Sequence, residues 1–442
     1  MRFGTDGVRG VANVDLTPEF AMSLGRAAAR VLGGSRLLIG RDPRRSGPLL
    51  EAAFAAGVCA EGVDVELLGV VPTPAVAYLA AADTVPAAMI SASHNPAADN
   101  GIKLFAAGGL KLSDSVQDRI EAQIAVEPAV PAVSGPAVGV ITHVEGRATQ
   151  RYEDAVIAAL EGRDLDGLRV VLDCANGSNS VIAPEVLARA GARVTVLHAA
   201  PDGLNINDSC GSTHPEGLQR AVVESGADLG FAFDGDADRV LAVDAAGRLI
   251  DGDQLIALSA IDASTRGRLA HDTVVVTVMS NLGFRHGMAR AGITVREVGV
   301  GDRYVLEALD AGGYSLGGEQ SGHLIFRELA TTGDGLLSAL IVADVVARRG
   351  TGLAELADEA MVRLPQVLRN VRLDQRPADL LERIASDVGA VEGELGDHGR
   401  VLIRPSGTEP LVRVMVEAAD AAEAERHAER LVTAVTAAAH PD

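Results

Sequence analysis

Tryptophan is absent from this 442-residue chain, and cysteine and lysine are scarce. The three cysteines, Cys59, Cys174 and Cys210, are odd in number and far apart, which argues against a disulfide framework or a zinc site. Small buried thiols in a reducing cytoplasm are the expectation. No apolar run is long enough to span a bilayer: the stretch from Leu336 to Ala347 is among the longest, and it carries Asp344. The opening MRFGTDGVRG lacks the apolar core of a signal peptide. The expected location is therefore the cytoplasm, with no membrane partner. Positive charge is also short. Against 60 acids stand 39 bases, for a net charge of −21, which argues against the broad basic surface that nucleic acid needs. Of those bases only Lys103 and Lys111 are lysine; all the others are arginine.

What remains is an ordinary globular composition, 48% hydrophobic and 22% charged. At roughly 150 residues per domain, three or four domains are expected. One local pattern recurs. Arg36–Asp42, Arg169–Asn176 and Thr273–Asn281 each begin as a short β-branched run and end in polar residues, as a strand covered by helices on both faces would. A helix-like segment follows each. This reads as one α/β unit used three times. The last stretch differs: a strand at Val401–Ile403, a loop from Arg404 to Pro410, a strand at Val412–Glu417, then an Ala/Glu-rich helix from about Asp420 to Ala438 with Asp420 as its N-cap. That is an α+β appendage.

Ligands of open α/β sheets bind beyond the carboxyl ends of strands, so the loops there carry the functional signal. Asp234-Gly-Asp-Ala-Asp-Arg239 lies between two apolar runs. Three carboxylates at alternate positions repel unless a cation sits among them, and hard oxygen ligands suit magnesium or calcium. An EF-hand is excluded, because Arg239 and Ala245 occupy its Gly and Glu positions. A solvated acidic turn, a phosphotransferase with Asp234 as nucleophile and a nucleotide-sugar glycosyltransferase remain alternatives for this loop alone. Ser91-Ala-Ser-His-Asn-Pro96 follows another strand-like run and offers a serine on a tight turn. Such a serine needs a base or cation to act, and a phosphorylated one would complete the coordination of a metal on three Asp. Lys103, retained just beyond it, suggests proton transfer, since lysine can give up its proton where arginine cannot; Lys111 reads as an ordinary surface residue. Gly317-Gly-Glu-Gln-Ser-Gly-His323 suits sugar hydroxyls, or is a plain hairpin. Arg404-Pro-Ser-Gly-Thr-Glu-Pro410, with Arg413 beyond it, has the composition of an anion nest for phosphate, or of a structural hairpin.

In order, Gly4–Gly10, Ser91–Pro96, Asp234–Arg239, Gly318–His323 and Arg404–Pro410 resemble the motif set of the α-D-phosphohexomutase superfamily. Gln320 resembles its glucosamine-phosphate branch, where mannose and glucose mutases commonly have another residue. The resemblance spans residues 4 to 410. It implies three related α/β domains and a smaller C-terminal α+β domain around a central active-site cleft, dividing the chain at 1–150, 151–252, 253–362 and 363–442. It implies interconversion of glucosamine 6-phosphate and glucosamine 1-phosphate through phosphorylated Ser93 and a hexosamine 1,6-bisphosphate, on the route to UDP-N-acetylglucosamine; a mannose or glucose phosphate substrate is the alternative. By matching positions, Mg2+ would sit on Ser93, Asp234, Asp236 and Asp238. Lys103, His323, Arg9 and His94 would serve catalysis, with Lys103 and His323 as acid and base. Glu319 and Ser321 would grip sugar hydroxyls; Arg404, Ser406, Gly407, Thr408 and Arg413 would grip the non-reacting phosphate, with Arg239 holding charged substrate close by. The partner implied is a small sugar phosphate, and relatives of this kind allow a homodimer. Ala97-Ala98 and Ala237 depart from the usual pattern without touching a proposed ligand.

Overall fold

The computed structural model describes residues 3–4, 7–125, 133–373, 377, 379–405 and 411–439. The chain divides into two compact units, one of residues 1–279 with 293–358 and one of 280–292 with 359–442.

The first unit holds three sheets. One contains β1 (Val8–Val11), β2 (Arg36–Arg41), β3 (Asp64–Val70), β4 (Ala87–Ile90), β5 (Asp99–Phe105) and β6 (Ile141–His143), in the order β1-β5-β4-β2-β3-β6. The second contains β7 (Arg169–Asp173), β8 (Arg193–Leu197), β9 (Leu229–Phe233), β10 (Val240–Asp244) and β11 (Leu249–Ile250), in the order β11-β10-β9-β7-β8. The third contains β12 (Thr273–Thr277), β13 (Thr294–Val298), β14 (Leu316–Gly318) and β15 (Leu324–Phe326), in the order β13-β12-β14-β15.

A common core runs through all three. The blocks β3-β2-β4-β5, β8-β7-β9-β10 and β13-β12-β14-β15 each pair three strands in parallel and add the fourth antiparallel. The triple use of one α/β unit expected from the sequence is thus present as shared topology. The central strands are continuous apolar runs: Leu37, Leu38 and Ile39, then Val170, Val171 and Leu172, then Val274, Val275 and Val276, all buried. Because the third and fourth strands of each block are antiparallel, a hairpin loop joins them at the carboxyl end of a central strand. Those three loops are 91–98, 234–239 and 319–323, the segments singled out by their chemistry.

The second unit is built on β16 (Gln366–Arg372), β17 (Arg400–Pro405) and β18 (Leu411–Glu417), antiparallel in the order β16-β18-β17. The helix Ala421–Ala439 covers it, and the Asp420 carboxylate accepts the Glu423 N–H at 2.8 Å, as an N-cap should. β17 runs two residues further than the sequence suggests, because Arg404 pairs with Arg413 and Pro405 with Val412 across the ladder. The segment 280–292 is fastened into this unit by Glu417, which accepts the Leu282 N–H at 2.8 Å, and by Asn281, whose side chain donates to Leu364 O at 3.0 Å.

Two glycines set the spacing of the first helical layer, α1 (Pro18–Leu32) against α2 (Gly47–Cys59). A Cβ on Gly25 would lie 2.2 Å from Phe54 O, and one on Gly57 would lie 2.1 Å from Met22 O. Each glycine thus receives the backbone of the other helix, and neither neighbour is a side chain that could swing away. The variant Gly57→Ala should lose about 1–3 kcal/mol of stability through overpacking, read as a lower urea midpoint. An unchanged midpoint would show that the helices can separate at no cost.

Candidate active site

Ser93 lies at the tip of the β4–β5 hairpin and is buried. Its φ is 53°, in the left-handed region, which costs a non-glycine residue about 1–2 kcal/mol. Its main chain is fixed on both sides. The Ser93 N–H donates to Ser91 Oγ at 3.0 Å, and Ser91 Oγ donates to Asp42 at 2.5 Å. Asp42 in turn accepts from Arg44 Nε at 2.8 Å, and Arg44 Nη2 donates to Ser93 O at 2.9 Å. Arg44 is fully buried, and its guanidinium also donates to the carbonyls of Asn95, Pro96 and Asp99. From the second block, Asn207 Nδ2 donates to Ser93 O at 2.9 Å and to Asn95 O at 3.1 Å.

The conformation aims the Ser93 hydroxyl at the next hairpin. Ser93 Oγ donates to Asp234 Oδ2 at 2.6 Å. Asp234, Asp236 and Asp238 are all buried, and their ligand atoms lie within 4.8 Å of one another. Ala237 keeps the loop tight with a φ of 57°. Gly235 has no room for a side chain: a Cβ there would lie 2.7 Å from Ser93 O and 2.9 Å from Asn207 Nδ2. Burial, then the charges of Asp238 and Asp236, push the Asp234 carboxyl up to about 8. Asp238 is held well below the usual range: burial opposes its charge, but Lys103 and the neighbouring His323 ring outweigh it. Asp236 Oδ1 and Asp238 Oδ1 are buried and make no hydrogen bond among the described residues. Orphaned carboxylate oxygens beside a third carboxylate are the donor set of a hard divalent cation, so the site fits magnesium.

Fixed positive charge also surrounds the triad. Lys103 is buried and donates to Asp236 at 2.7 Å and Asp238 at 3.2 Å; Thr73 Oγ1 donates to Asp236 at 2.6 Å. Arg239 Nε lies 3.8 Å from Asp238, and the Arg239 N–H donates to Asp234 at 3.2 Å. His94 Nδ1 is 3.3 Å from Ser93 Oγ. Burial and the charges of Arg239 and Arg9 lower the His94 pKa, which favours the neutral ring. Arg9 sits on β1, paired with Gly101 of β5.

His323 closes the third hairpin and points inward. Nδ1 lies 3.8 Å from Asp238, Nε2 lies 3.5 Å from Asp302, and the Gly333 N–H donates to Nε2 at 3.1 Å. Burial disfavours charge on the ring, but Asp238 and Asp302 outweigh it and its pKa is raised. Lys111, read from sequence as an ordinary surface residue, is half-buried and ion-paired with Asp302, so both lysines of the chain belong to one line of alternating charge. Glu319 accepts the Gly301 N–H at 3.0 Å, and Ser321 is exposed on the same turn. The turn is tied to the metal loop's block, since Val240 N donates to Gly322 O and Gly252 N to Gln320 O, at 3.0 and 3.1 Å. Gln320 Nε2 is buried without a hydrogen-bond partner among the described residues.

In the second unit, Arg404 and Arg413 face each other in register on β17 and β18. Ser406, Gly407 and Thr408 lie outside the described residues. Sequence reasoning missed Arg44, Asn207 and Thr73, which act on the site through carbonyls and carboxylates. It also missed Asp173, His198 and Cys210, which gather at the ends of β7 and β8 and in the loop before Gly211. There Asp173 accepts from the Ala175 and Gly211 N–H groups, both at 3.0 Å, and lies 3.0 Å from His198 Nδ1; burial pushes the Cys210 thiol up to about 12. That cluster fastens loops.

A buried serine hydroxyl on a cation-binding carboxylate triad, ringed by Lys103, Arg9 and Arg239, is the apparatus of an enzyme that moves phosphoryl groups. Residues 1–129, 150–247 and 251–364 match the α/β/α domains I, II and III of phosphoglucomutase/phosphomannomutase, and 368–434 match its C-terminal domain. The chain belongs to the phosphoglucomutase/phosphomannomutase family. It is 57% identical to the phosphoglucosamine mutase of Frankia alni over 450 residues, covering 99% of this chain and 98% of that one. To the phosphoglucosamine mutase of Rhodococcus jostii it is 54% identical, covering 98% of each. Among solved structures, a phosphoglucomutase/phosphomannomutase family protein from Burkholderia thailandensis superposes with a TM-score of 0.82 at 26% identity, covering 98% of this chain and 97% of that one. The Aspergillus fumigatus N-acetylphosphoglucosamine mutase, solved with GlcNAc-6P and magnesium, shares the fold with a TM-score of 0.73 at 20% identity, covering 100% and 96%.

The triad makes a prediction for metal removal. Magnesium at about a hundredfold excess over its Kd should stabilise the wild-type chain by about 2–3 kcal/mol. In Asp234→Asn, which removes a carboxylate from the cation's donor set, the gain from magnesium should shrink. An equal magnesium shift in both proteins, measured by thermal denaturation, would show that the cation binds elsewhere.

Proposed function

We propose that the chain is a phosphoglucosamine mutase, interconverting glucosamine 6-phosphate and glucosamine 1-phosphate through a phosphoryl group carried on Ser93. The observation that carries the reading is the Ser93 hydroxyl seated 2.6 Å from Asp234 within a triad that has two orphaned oxygens. Identity above 50% along nearly the whole length to proteins named phosphoglucosamine mutase supports the choice of sugar.

In this reading the bond between phosphorus and Ser93 Oγ breaks as a bond forms to the free hydroxyl oxygen of the bound sugar phosphate. The product is hexosamine 1,6-bisphosphate, which turns over and returns its other phosphoryl group to Ser93. Asp234, Asp236, Asp238 and Ser93 would hold magnesium, which when bound supplies positive charge to the phosphoryl oxygens. Lys103 keeps a fixed cation beside the charge left on Ser93 Oγ. His94 exchanges a proton at that oxygen, its ring nitrogen being 3.3 Å away. Lys103 and His323 serve as acid and base for the proton that the attacking sugar hydroxyl gives up, with His323 Nδ1 3.8 Å from Asp238. Arg9 and Arg239 draw the anionic ligand in. Glu319 and Ser321 take sugar hydroxyls, and the unpartnered Gln320 amide is the donor that reads the sugar beside them. Arg404, Ser406, Gly407, Thr408 and Arg413 take the phosphate that is not reacting, whichever end of the sugar it occupies. The three free, buried thiols agree with a cytoplasmic setting.

Ser93→Ala should lose at least about 10³-fold in kcat, because it removes the hydroxyl seated on the carboxylate triad. A coupled assay on glucosamine, glucose and mannose phosphates should give the highest kcat/KM for glucosamine. Full turnover in Ser93→Ala would remove the mechanism; preference for glucose or mannose phosphate would keep the mechanism and remove the choice of sugar.

A further inference from the structure

The backbone around Ser93 carries more donors than holding a turn requires. Two carbonyls, Ser93 O and Asn95 O, each receive two side-chain donors. Arg44 Nη2 reaches them at 2.9 and 2.8 Å, and Asn207 Nδ2 at 2.9 and 3.1 Å. Arg44 comes from the block that owns the serine loop; Asn207 comes from the block that owns the metal loop. Both are buried, Arg44 at 0% and Asn207 at 9% relative exposure.

Asn207 is itself firmly mounted. Its N–H donates to Ala175 O at 2.9 Å, and its loop is bound again where the Gly211 N–H donates to Asp173 at 3.0 Å. The same loop touches the Arg44 segment, since the Arg45 N–H donates to Gly203 O at 2.9 Å. Beneath the Asn207 amide lies Gly235 of the metal loop, where even a methyl would strike both Ser93 O and Asn207 Nδ2. Asn207 thus bonds the nucleophile loop while packing on the metal loop between two of its aspartates.

We propose that Asn207, with Arg44 opposite it, is a positioning residue that sets the distance from Ser93 Oγ to the Asp234 triad. Two physical needs meet there. Left-handed Ser93 must be held at a backbone angle it would not choose, and both of its main-chain groups are tied for that purpose. Ser93 O and Asn95 O are also electron-rich acceptors close to a group that is to carry a phosphoryl dianion. Four donor contacts, two of them from a guanidinium, offset that repulsion without spending the site's own cations. The inference rests on the phosphoryl-carrying role of Ser93.

The test uses two substitutions of Asn207 in the full chain. Asn207 has a φ of 58°, so Asn207→Gly keeps the backbone and removes only the amide. Asn207→Asp keeps the shape but turns a carboxylate oxygen toward two carbonyl oxygens. Positioning through donated hydrogen bonds predicts a kcat order of wild type, then Gly, then Asp. Losses of about 10-fold and 100-fold are expected, with KM for the sugar phosphate within about threefold. A space-filling role predicts the opposite order, the isosteric Asp being the milder change. Gly235→Ala keeps both donors but wedges a methyl between the loops, and should also lose kcat with KM held. It serves where an Asn207 variant melts below the assay temperature. Asp at least as active as Gly, or both Asn207 variants within twofold of wild type, would overturn the proposal. So would wild-type kcat in Gly235→Ala. Peptide mapping of the wild-type chain separates the underlying reading: no phosphate on Ser93 and no mutase turnover would fail that reading, whereas a phosphorylated, active wild type with unaffected variants fails only the positioning role.

Discussion

Three carboxylates buried within 4.8 Å of one another cannot all remain charged without counter-charge, and most of the site is arranged around that constraint. The protein supplies part of the answer: Lys103 bonds two of them, Thr73 and Ser93 each donate to one, and His323 leans on the third. Asp236 Oδ1 and Asp238 Oδ1 are left without a hydrogen bond among the described residues. Those two oxygens fit the loop for a hard cation beside the Ser93 hydroxyl. The two lysines make sense in the same terms. Both are paired with aspartates along the line Lys103, Asp238, His323, Asp302, Lys111, where a compact ammonium is used in a chain that elsewhere uses guanidinium.

The topology explains how three separate motifs reach one place. Each α/β block ends its parallel strands with an antiparallel return, so each presents a hairpin tip at the carboxyl end of a central strand. The serine, metal and sugar loops are equivalent tips of three copies of one block. Specialisation then required only different residues at a shared position. Main-chain contacts fix the 234–239 loop in place: Ser178 N to Gly235 O, Thr73 N to Asp236 O and Gly335 N to Ala237 O, while Val240 N just beyond it reaches Gly322 O of the 319–323 loop, each between 2.8 and 3.0 Å. Gly235 and Gly322 permit this approach, since a side chain on either would meet a neighbouring carbonyl.

The strands and the loop chemistry were legible because they leave local signals: an uninterrupted β-branched run, then carboxylates or hydroxyls where the run stops. The three aspartates and Lys103 could be named from that pattern, and Ser93 from the family resemblance; the structure brings them together. The shared hairpin was not legible, because β14 and β15 are only three residues long and β14 carries two glycines where a strand usually carries side chains. Arg44 and Asn207 escaped for another reason. An arginine in a polar loop reads as surface, and nothing local announces that it is fully buried on four carbonyls from a segment some 50 residues away. The surroundings of His323 were equally hidden: only the fold shows Asp238, Asp302 and Gly333 around its ring.

The central claim is that a phosphoryl group resides on Ser93 and passes to the sugar. The direct measurement is a chase: Ser93 is loaded with isotopically labelled phosphate from labelled hexosamine 1,6-bisphosphate, freed of excess, and mixed with unlabelled glucosamine 6-phosphate in magnesium. The account predicts that label leaves Ser93 within a turnover and appears in hexosamine bisphosphate and then in glucosamine 1-phosphate. Label that stays on Ser93, is found on Asp234, or is released only as inorganic phosphate would contradict it.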